Sequence, residues 1–582
     1  MRAGIVQRRV CPLSLFCLIF FAWGSNASAG NLSPDLKQAL RSLGPDEEVA
    51  VVVAFRDKAD IHLFKDPDKK LRRWQIIHSL KAKAELTQRP LETFLKERGA
   101  KRIIPLWIKN GMAVTARSRV VLELADHRAV ESISLDETVR VPSVSYGVSA
   151  KAEWNVKAIH ATRLWALGYT GQGIVVASID SGVDLDHPDL KTRWRGGTNS
   201  WYDPNGEHDT PFDANGHGTN VMGIIVGGNA SGTAIGVAPD AKWIAVKIFN
   251  DGGVASLSVI HQGFQWLLDP DGNPGTDDAP DVVNVSWALE GVNRCSLEFQ
   301  SDIEALESAG IAIVFSAGND GPLSSTSASP ANSPGAFGVG AVSRSKHIAS
   351  FSSRGPSACD GGIYPAVVAP GVNVKTSDLT EGGVFTDSYV LVMGTSFAAP
   401  HVAGAMALLL NAFPSLTVPA LEFVLKESAL DLGARGADNT YGYGFVNVMK
   451  AYNDLLHPEP KIAASASAYQ FGPTEIGATS SQTLTIFNLG MADLSIESIV
   501  LSGSTPSEFN LESDSCSQRN LTPLSSCTLD IGFSPIRPGA RSKKLKVSSN
   551  DPSKPTLNLS LKGIGIKPDP FSFFRSSSEK FF

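Results

Sequence analysis

Apolar positions along the chain follow three different rhythms. Between residues 30 and 145 they are intermittent. Glu48 to Phe55 reads as one strand, Arg72 to Arg98 as one or two charged amphipathic helices, and Ile103 to Thr115 as a hairpin turning at Asn110-Gly111. A short helix around Val120–Asp126 and a strand near Val130–Leu135 complete a small α+β unit with no catalytic cluster. From Trp154 onward, buried apolar runs at Ile174–Ile179, Trp243–Phe249, Asp281–Trp287 and Ile311–Ser316 alternate with helical stretches at Ser256–Leu268 and Ser301–Ala309. Alternation of this kind predicts an α/β unit, a parallel sheet flanked by helices. From about 466 to 566 the rhythm becomes that of short strands between Ser, Asn and Gly turns: Ser480–Asn488, Leu494–Leu501, Ser526–Phe533 and Lys543–Ser549. These predict an all-β sandwich.

Ligands of a parallel α/β sheet bind beyond the carboxyl ends of its strands. Asp180 follows Ile174–Ile179, and an isolated Asp there reads more simply as a cap for the next turn. His217 opens the apolar stretch ending at Val226, where a lone His reads as structural. Asn319 follows Ile311–Ser316 between small neighbours that leave its amide free to enter a cleft. Ser396 lies in Gly394-Thr395-Ser396-Phe397-Ala398-Ala399-Pro400, at the N-terminus of a buried helix, where a serine alone reads as a cap. Together the four can perform nucleophilic acyl transfer. A serine hydroxyl needs a neighbouring base, which His217 supplies. Asp180 fixes the imidazole tautomer, and the Asn319 side chain with the Ser396 N–H donates to the developing oxyanion. The order Asp, His, Ser, with Ala398 at the fifth position of the serine motif, excludes an α/β-hydrolase elbow.

The 582 residues exceed one domain, and the formal charge of −6 is well mixed, so no nucleic-acid partner is indicated. Arg8-Arg9, an apolar run from Val10 to Trp23 and Ala27-Ser28-Ala29 read as a secretory signal peptide over residues 1–29. No later segment is apolar enough to span a membrane, so the mature protein is expected to be secreted or periplasmic. The expected domains are then 30–145, 146–455, a linker at 456–465, the sandwich at 466–566 and a Phe-rich tail at 567–582. Four cysteines outlast the signal, and they allow three connectivities. Cys516 with Cys527 is the local choice, and Cys295 with Cys359 then joins two loops.

The motifs at Asp180-Ser181-Gly182, His217-Gly218-Thr219, Ser316-Ala317-Gly318-Asn319 and Gly394 to Pro400 resemble those of the subtilisin-like serine proteases (the peptidase S8 family). The segments Trp154 to Ile159, Trp165 to Tyr169 and Trp243 to Lys247 resemble its bacillopeptidase F-like branch. Asn488-Leu489-Gly490, Phe533-Ser534-Pro535 and Ser549 to Pro552 resemble the HYDIN-like or choice-of-anchor Ig-like domains. The first resemblance implies a serine-type endopeptidase acting on polypeptides through an acyl-enzyme, with residues 30–145 as an autoprocessed inhibitory propeptide cut between Val141 and Glu153. It also implies that substrate adds as a strand between Ser286-Trp287-Ala288 and Phe315-Ser316-Ala317. Ala288 stands where the family has glycine, and Asn220 where it has histidine. No cofactor is needed for the chemistry, but structural calcium is common in the family. Asp189 matches a calcium ligand, although the partner loop at 228–233 has Ala230 where a side-chain oxygen is usual. The acidic loop from Asp269 to Asp281 is no EF-hand, because Pro274 occupies the glycine position. Both read as solvated loops, with calcium as the alternative. The Ig-like domain reads as a binding or spacing unit for an unknown surface or protein ligand. The competing reading of the whole is a non-catalytic secreted adhesin or scaffold on a protease fold.

Overall fold

A computed structural model describes residues 30–146, 154–502 and 508–568. The signal-like segment 1–29, residues 147–153 of the expected processing region and the tail beyond 568 lie outside these. Among the described residues no helix is long and apolar enough to cross a membrane. The chain packs as two compact units, residues 30–58, 86–105 and 110–135 in one, and 59–85, 106–109 and 136 onward in the other.

The first unit is built on a five-stranded sheet whose central strand, Glu48–Phe55, lies antiparallel to Gly111–Arg117 and to Val130–Leu135. Val51, Val53, Met112 and Val114 bury one face with Leu91 and Leu95, which belong to the single long helix Lys69–Glu97. The expected hairpin turns earlier than Asn110-Gly111: its strands are Arg102–Leu106 and Gly111–Arg117, so residues 107–110 form the connection.

The second unit contains a seven-stranded, wholly parallel sheet in the order Val367–Pro370, Phe337–Val342, Ala312–Ser316, Val282–Val285, Val175–Asp180, Lys242–Lys247, Trp201–Tyr202. Its strands are buried on both faces, which accounts for the continuous apolar runs. Helices His217–Val226 and Ala399–Ala412 share one core with Val176 and Val314. Helix Leu257–Leu268 lies against Ile179 and Val246, whose side chains point the opposite way from Val176 along their strands. Its Gly263 eases that fit, because a Cβ there would sit 2.8 Å from Ile179 Cδ1, which would have to turn aside.

Beyond the helix Val448–Leu456, two antiparallel-rich sheets form a sandwich around Phe471, Phe509, Phe533, Leu545, Val547 and Leu559. The last strand, Thr556–Ile566, alternates buried and exposed residues along most of its length, the signature of a sheet with one wet face. Ile462–Ala464, expected in the linker, is instead a sandwich strand paired with Ser480–Asn488, because Asp551 accepts the buried Ile462 N–H. Cys516 is bonded to Cys527, and Cys295 to Cys359 with Cα atoms 4.9 Å apart.

Candidate active site

The strand Val175–Asp180 ends by delivering Asp180 into the interior, where its side chain is 1% exposed. A carboxylate so buried needs hydrogen bonds, and Asp180 Oδ1 accepts one from the Ser181 N–H (2.7 Å) and pairs with His217 Nδ1 (2.8 Å). His217 is the first residue of its helix, and the turn before it is organised by Asp213. That carboxylate accepts the N–H groups of Asn215, Gly216 and Thr219 and the Thr219 hydroxyl. Gly218 is required by contact: a Cβ would lie 2.1 Å from the Gly182 carbonyl oxygen. The imidazole is held at Nδ1 and packed against the Phe397 ring, 5.5 Å away between centroids, yet its buried Nε2 has no hydrogen-bond partner.

Ser396 lies in the short turn Thr395–Phe397 that leads into Ala399–Ala412. Pro400 falls in the first turn of that helix, where no amide hydrogen bond is lost. The turn is fixed from below by His401. Its Nδ1–H donates to the Phe397 carbonyl (2.8 Å), and its Nε2 accepts from Asn155 Nδ2 (2.8 Å). Burial pushes His401 down to about 4, so it is the neutral tautomer that does this. The Ser396 hydroxyl donates to the Ser286 carbonyl (3.0 Å), and the Ser286 hydroxyl donates back to the Ser396 carbonyl (2.8 Å). Asn319, exposed at the end of Ala312–Ser316, accepts at Oδ1 from both the N–H and the hydroxyl of Thr395, each at 2.9 Å. With Oδ1 occupied, the amide presents Nδ2 as its remaining edge. Asp180, His217, Asn319 and Ser396 are thus linked through one packed centre holding a buried acid–imidazole pair, a hydroxyl and an amide donor.

The expected peptide-binding edges are corrected in two ways. Phe315 lies in a central strand between Val285 and Gly338. The Ala317 N–H donates to Val339, and the Ala317 carbonyl accepts the Tyr364 hydroxyl. Phe315, Ser316 and Ala317 therefore have no free edge to offer a peptide strand. Trp287 does not line a cleft with its side chain: it is 1% exposed, and its Nε1 donates to the Ile179 carbonyl. The paired edge that sequence reading missed is Val254–Ser256, where Thr138–Arg140 lies antiparallel. Its short, small-residue stretch gave no apolar rhythm. Asn220, the departure from the family, ties its helix to a neighbouring strand by donating to the Ser377 carbonyl (2.8 Å).

The residues around Asp189 do not fit calcium, which takes six to eight oxygens. Oδ1 already accepts the Ala230 N–H (2.7 Å) and Oδ2 the Tyr389 hydroxyl (2.8 Å), while Ala230 supplies no side-chain oxygen.

Residues 171–444 match the subtilase family, and residues 460–564 match the HYDIN/CFA65/VesB-like, Ig-like domain. The chain is 34% identical to bacillopeptidase F of Bacillus subtilis (strain 168) over 501 residues, 74% of this chain and 34% of that protein, so it spans about a third of that relative. It is 35% identical to subtilisin E of Bacillus subtilis (strain 168) over 361 residues, 61% of this chain and 84% of that protein. It is also 35% identical to an alkaline protease of Alkalihalobacillus alcalophilus over 325 residues, 55% and 76% of the two chains.

Proposed function

The chain belongs to the subtilase family of serine-type endopeptidases, and from that premise we propose that it is an exported endopeptidase made as a self-cleaving zymogen. Ser396 is the nucleophile. Its hydroxyl turns from the Ser286 carbonyl to His217 Nε2, which takes the proton as Oγ attacks the peptide carbonyl. Asp180 keeps the proton of His217 on Nδ1 and stabilises the imidazolium. Asn319 Nδ2 and the Ser396 N–H stabilise the oxyanion. His217 then returns the proton to the leaving amine, and water hydrolyses the acyl-enzyme by the same steps in reverse roles. The observation that carries the reading is the buried Asp180–His217 pair whose Nε2 is unpartnered beside a serine turn.

The zymogen reading is supported by the course of residues 138–146. Thr138–Arg140 pairs with Val254–Ser256, the Val141 N–H donates to the Gly253 carbonyl (2.9 Å), and Ser145–Tyr146 pairs with Val392–Met393, three residues ahead of Ser396. A chain held as a strand on both sides of residues 142–144, with Met393 three residues before Ser396, supports a cut in the Val141-to-Ser145 part of the expected processing region. Export is supported by the basic, apolar and small-residue order of residues 1–29. Expression of the wild type beside Ser396→Ala tests the whole. The wild type should release the propeptide, begin near Ser143 by N-terminal sequencing and hydrolyse casein, and the variant should stay uncut and inert. A folded wild type that stays uncut and inert overturns the reading.

A further inference from the structure

The loop that follows helix Leu257–Leu268 carries an acidic cluster that the proposed catalytic centre does not include. Asp269, Asp271 and Asp278 each place a carboxylate oxygen within 4.8 Å of the others. Such spacing suits one cation at the 2.3–2.6 Å distances of calcium, around which ligand oxygens stand up to about 5 Å apart. The Asp269 side chain is only 1% exposed, and its Oδ1 is buried without a hydrogen-bond partner. A cationic group already sits on this cluster. The Lys81 ammonium pairs with Asp269 Oδ2, donates to the Gly272 carbonyl (3.2 Å) and lies 5.2 Å from the centre of the Trp107 ring. Arg195 is nearby, but its guanidinium is committed to the carbonyls of Asp278 and Asn199. The same helix as Lys81 sets Arg73 on Asp277 (2.8 Å) and Lys69 on Asp281 (2.6 Å). Lys81, Trp107 and their neighbours all belong to the segment read above as propeptide.

We propose that Asp269, Asp271 and Asp278, with the Gly272 carbonyl, form a calcium site that Lys81 fills in the precursor and vacates on maturation. The oxygen-only ligand set selects a hard cation. Once Lys81 departs, buried Asp269 loses its paired cation and keeps an unpartnered Oδ1 between Asp271 and Asp278, with Arg195, held on the Asp278 and Asn199 carbonyls, as the nearby positive charge. Asp271 accepts from Asn273 and Thr276, and Asp278 from Asn199. Unlike Asp189, these two are joined by a third carboxylate with a free buried oxygen, a state that draws in a cation. By linkage, calcium and the propeptide then compete, and calcium favours release. The inference rests on the zymogen reading for its biological setting, but its site can be tested without cleavage. Calcium is titrated calorimetrically into the full-length Ser396→Ala chain, into Ser396→Ala with Lys81→Met, and into that double variant with Asp278→Asn. The parent should leave the loop empty, the Lys81 variant should take one further equivalent, and Asp278→Asn should abolish it. Should Lys81→Met fail to fold by circular dichroism, Lys81→Gln serves the same purpose. A folded Lys81 variant that binds no more calcium than its parent, or a gained ion that survives Asp278→Asn, overturns the proposal. An uncut wild type would instead sink only the zymogen reading, because none of these chains depends on processing.

Discussion

His217 and His261 are built alike up to one atom. Both are fully buried, and both present Nδ1 to a buried carboxylate, Asp180 at 2.8 Å and Asp302 at 2.9 Å. At Nε2 they part. His261 Nε2 lies 3.0 Å from both Glu298 Oε1 and Lys109 Nζ, closing a network of fixed charges. His217 Nε2 has no hydrogen-bond partner among the described residues. Burial alone would lower His261, but the Asp302 charge and the hydrogen bonds to Asp302 and Glu298 outweigh it and the net shift is upward, towards a structural cation. The difference teaches that an acid–imidazole pair is a scaffold or a catalyst according to whether its second nitrogen is satisfied. An unfilled acceptor in a packed interior is a standing penalty, and here the imidazole that carries it packs against Phe397, the residue after Ser396.

The comparison can be broken most forcefully by exchanging which histidine is lost. His217→Ala should lower kcat/KM by about 10²- to 10⁴-fold, the scale of general acid–base catalysis, and should also lower the melting temperature, because it strands buried Asp180, whose Oδ2 is already unpartnered. His261→Ala should cost stability alone. It strands Asp302, fully buried and with Oδ2 already unpartnered, so stability should fall by about 3–5 kcal/mol while turnover by the folded fraction stays near wild type. Thermal melts and casein kinetics on the same preparations separate the two. If His261→Ala loses turnover and His217→Ala loses only stability, the assignment is inverted. Next in size, Asn319→Ala should lower kcat by about 10²-fold with KM little changed, a figure that comes from subtilisin itself and not from this structure.

His401 sharpens the contrast from a third direction. Both its nitrogens are satisfied, by Phe397 and Asn155, but no carboxylate faces them, so burial wins and its pKa falls to about 4. The unfolded chain binds a proton near pH 6.5 that the native state refuses until about pH 4. Stability supplied by neutral His401 is therefore complete above pH 6.5 and is lost as pH falls towards 4. Melts of the inactive Ser396→Ala chain between pH 7 and 4 should show this decline, and a His401→Gln background should flatten it. A slope unchanged by that substitution removes His401 from the account. The smallest effect concerns Lys109, whose ammonium pairs with Glu298 beside His261. Lys109→Met in the Ser396→Ala chain should lower the melting temperature by a few degrees, and an unchanged melt would show that Glu298 alone satisfies His261.

The sequence made the proposed catalytic centre legible because each of its residues sits where a pattern stops. Asp180 ends a strand, His217 opens a helix, Asn319 follows a strand, and Ser396 precedes a buried helix among residues too small to hide it. His261 has no such mark. It lies inside an apolar helix, and its partners stand 41, 37 and 152 residues away, so only folding brings them together. Three strands of the main sheet also carried no clear mark: Phe337–Val342 is diluted by glycines, Val367–Pro370 is short and ends in proline, and Trp201–Tyr202 has only two residues. Phe315–Ala317, which the resemblance offered as a peptide-binding segment, is closed on one side by Val282–Val285 and on the other by the strand Phe337–Val342 that the sequence did not reveal.

The most direct test of the unpartnered nitrogen is covalent labelling by a fluorophosphonate, which phosphonylates a serine only when a base removes its proton. Intact-mass and peptide mapping of the processed wild type should show one adduct, on Ser396, that His217→Ala eliminates and His261→Ala retains. A folded wild type that takes no label at Ser396, or a label that persists without His217, would contradict the account.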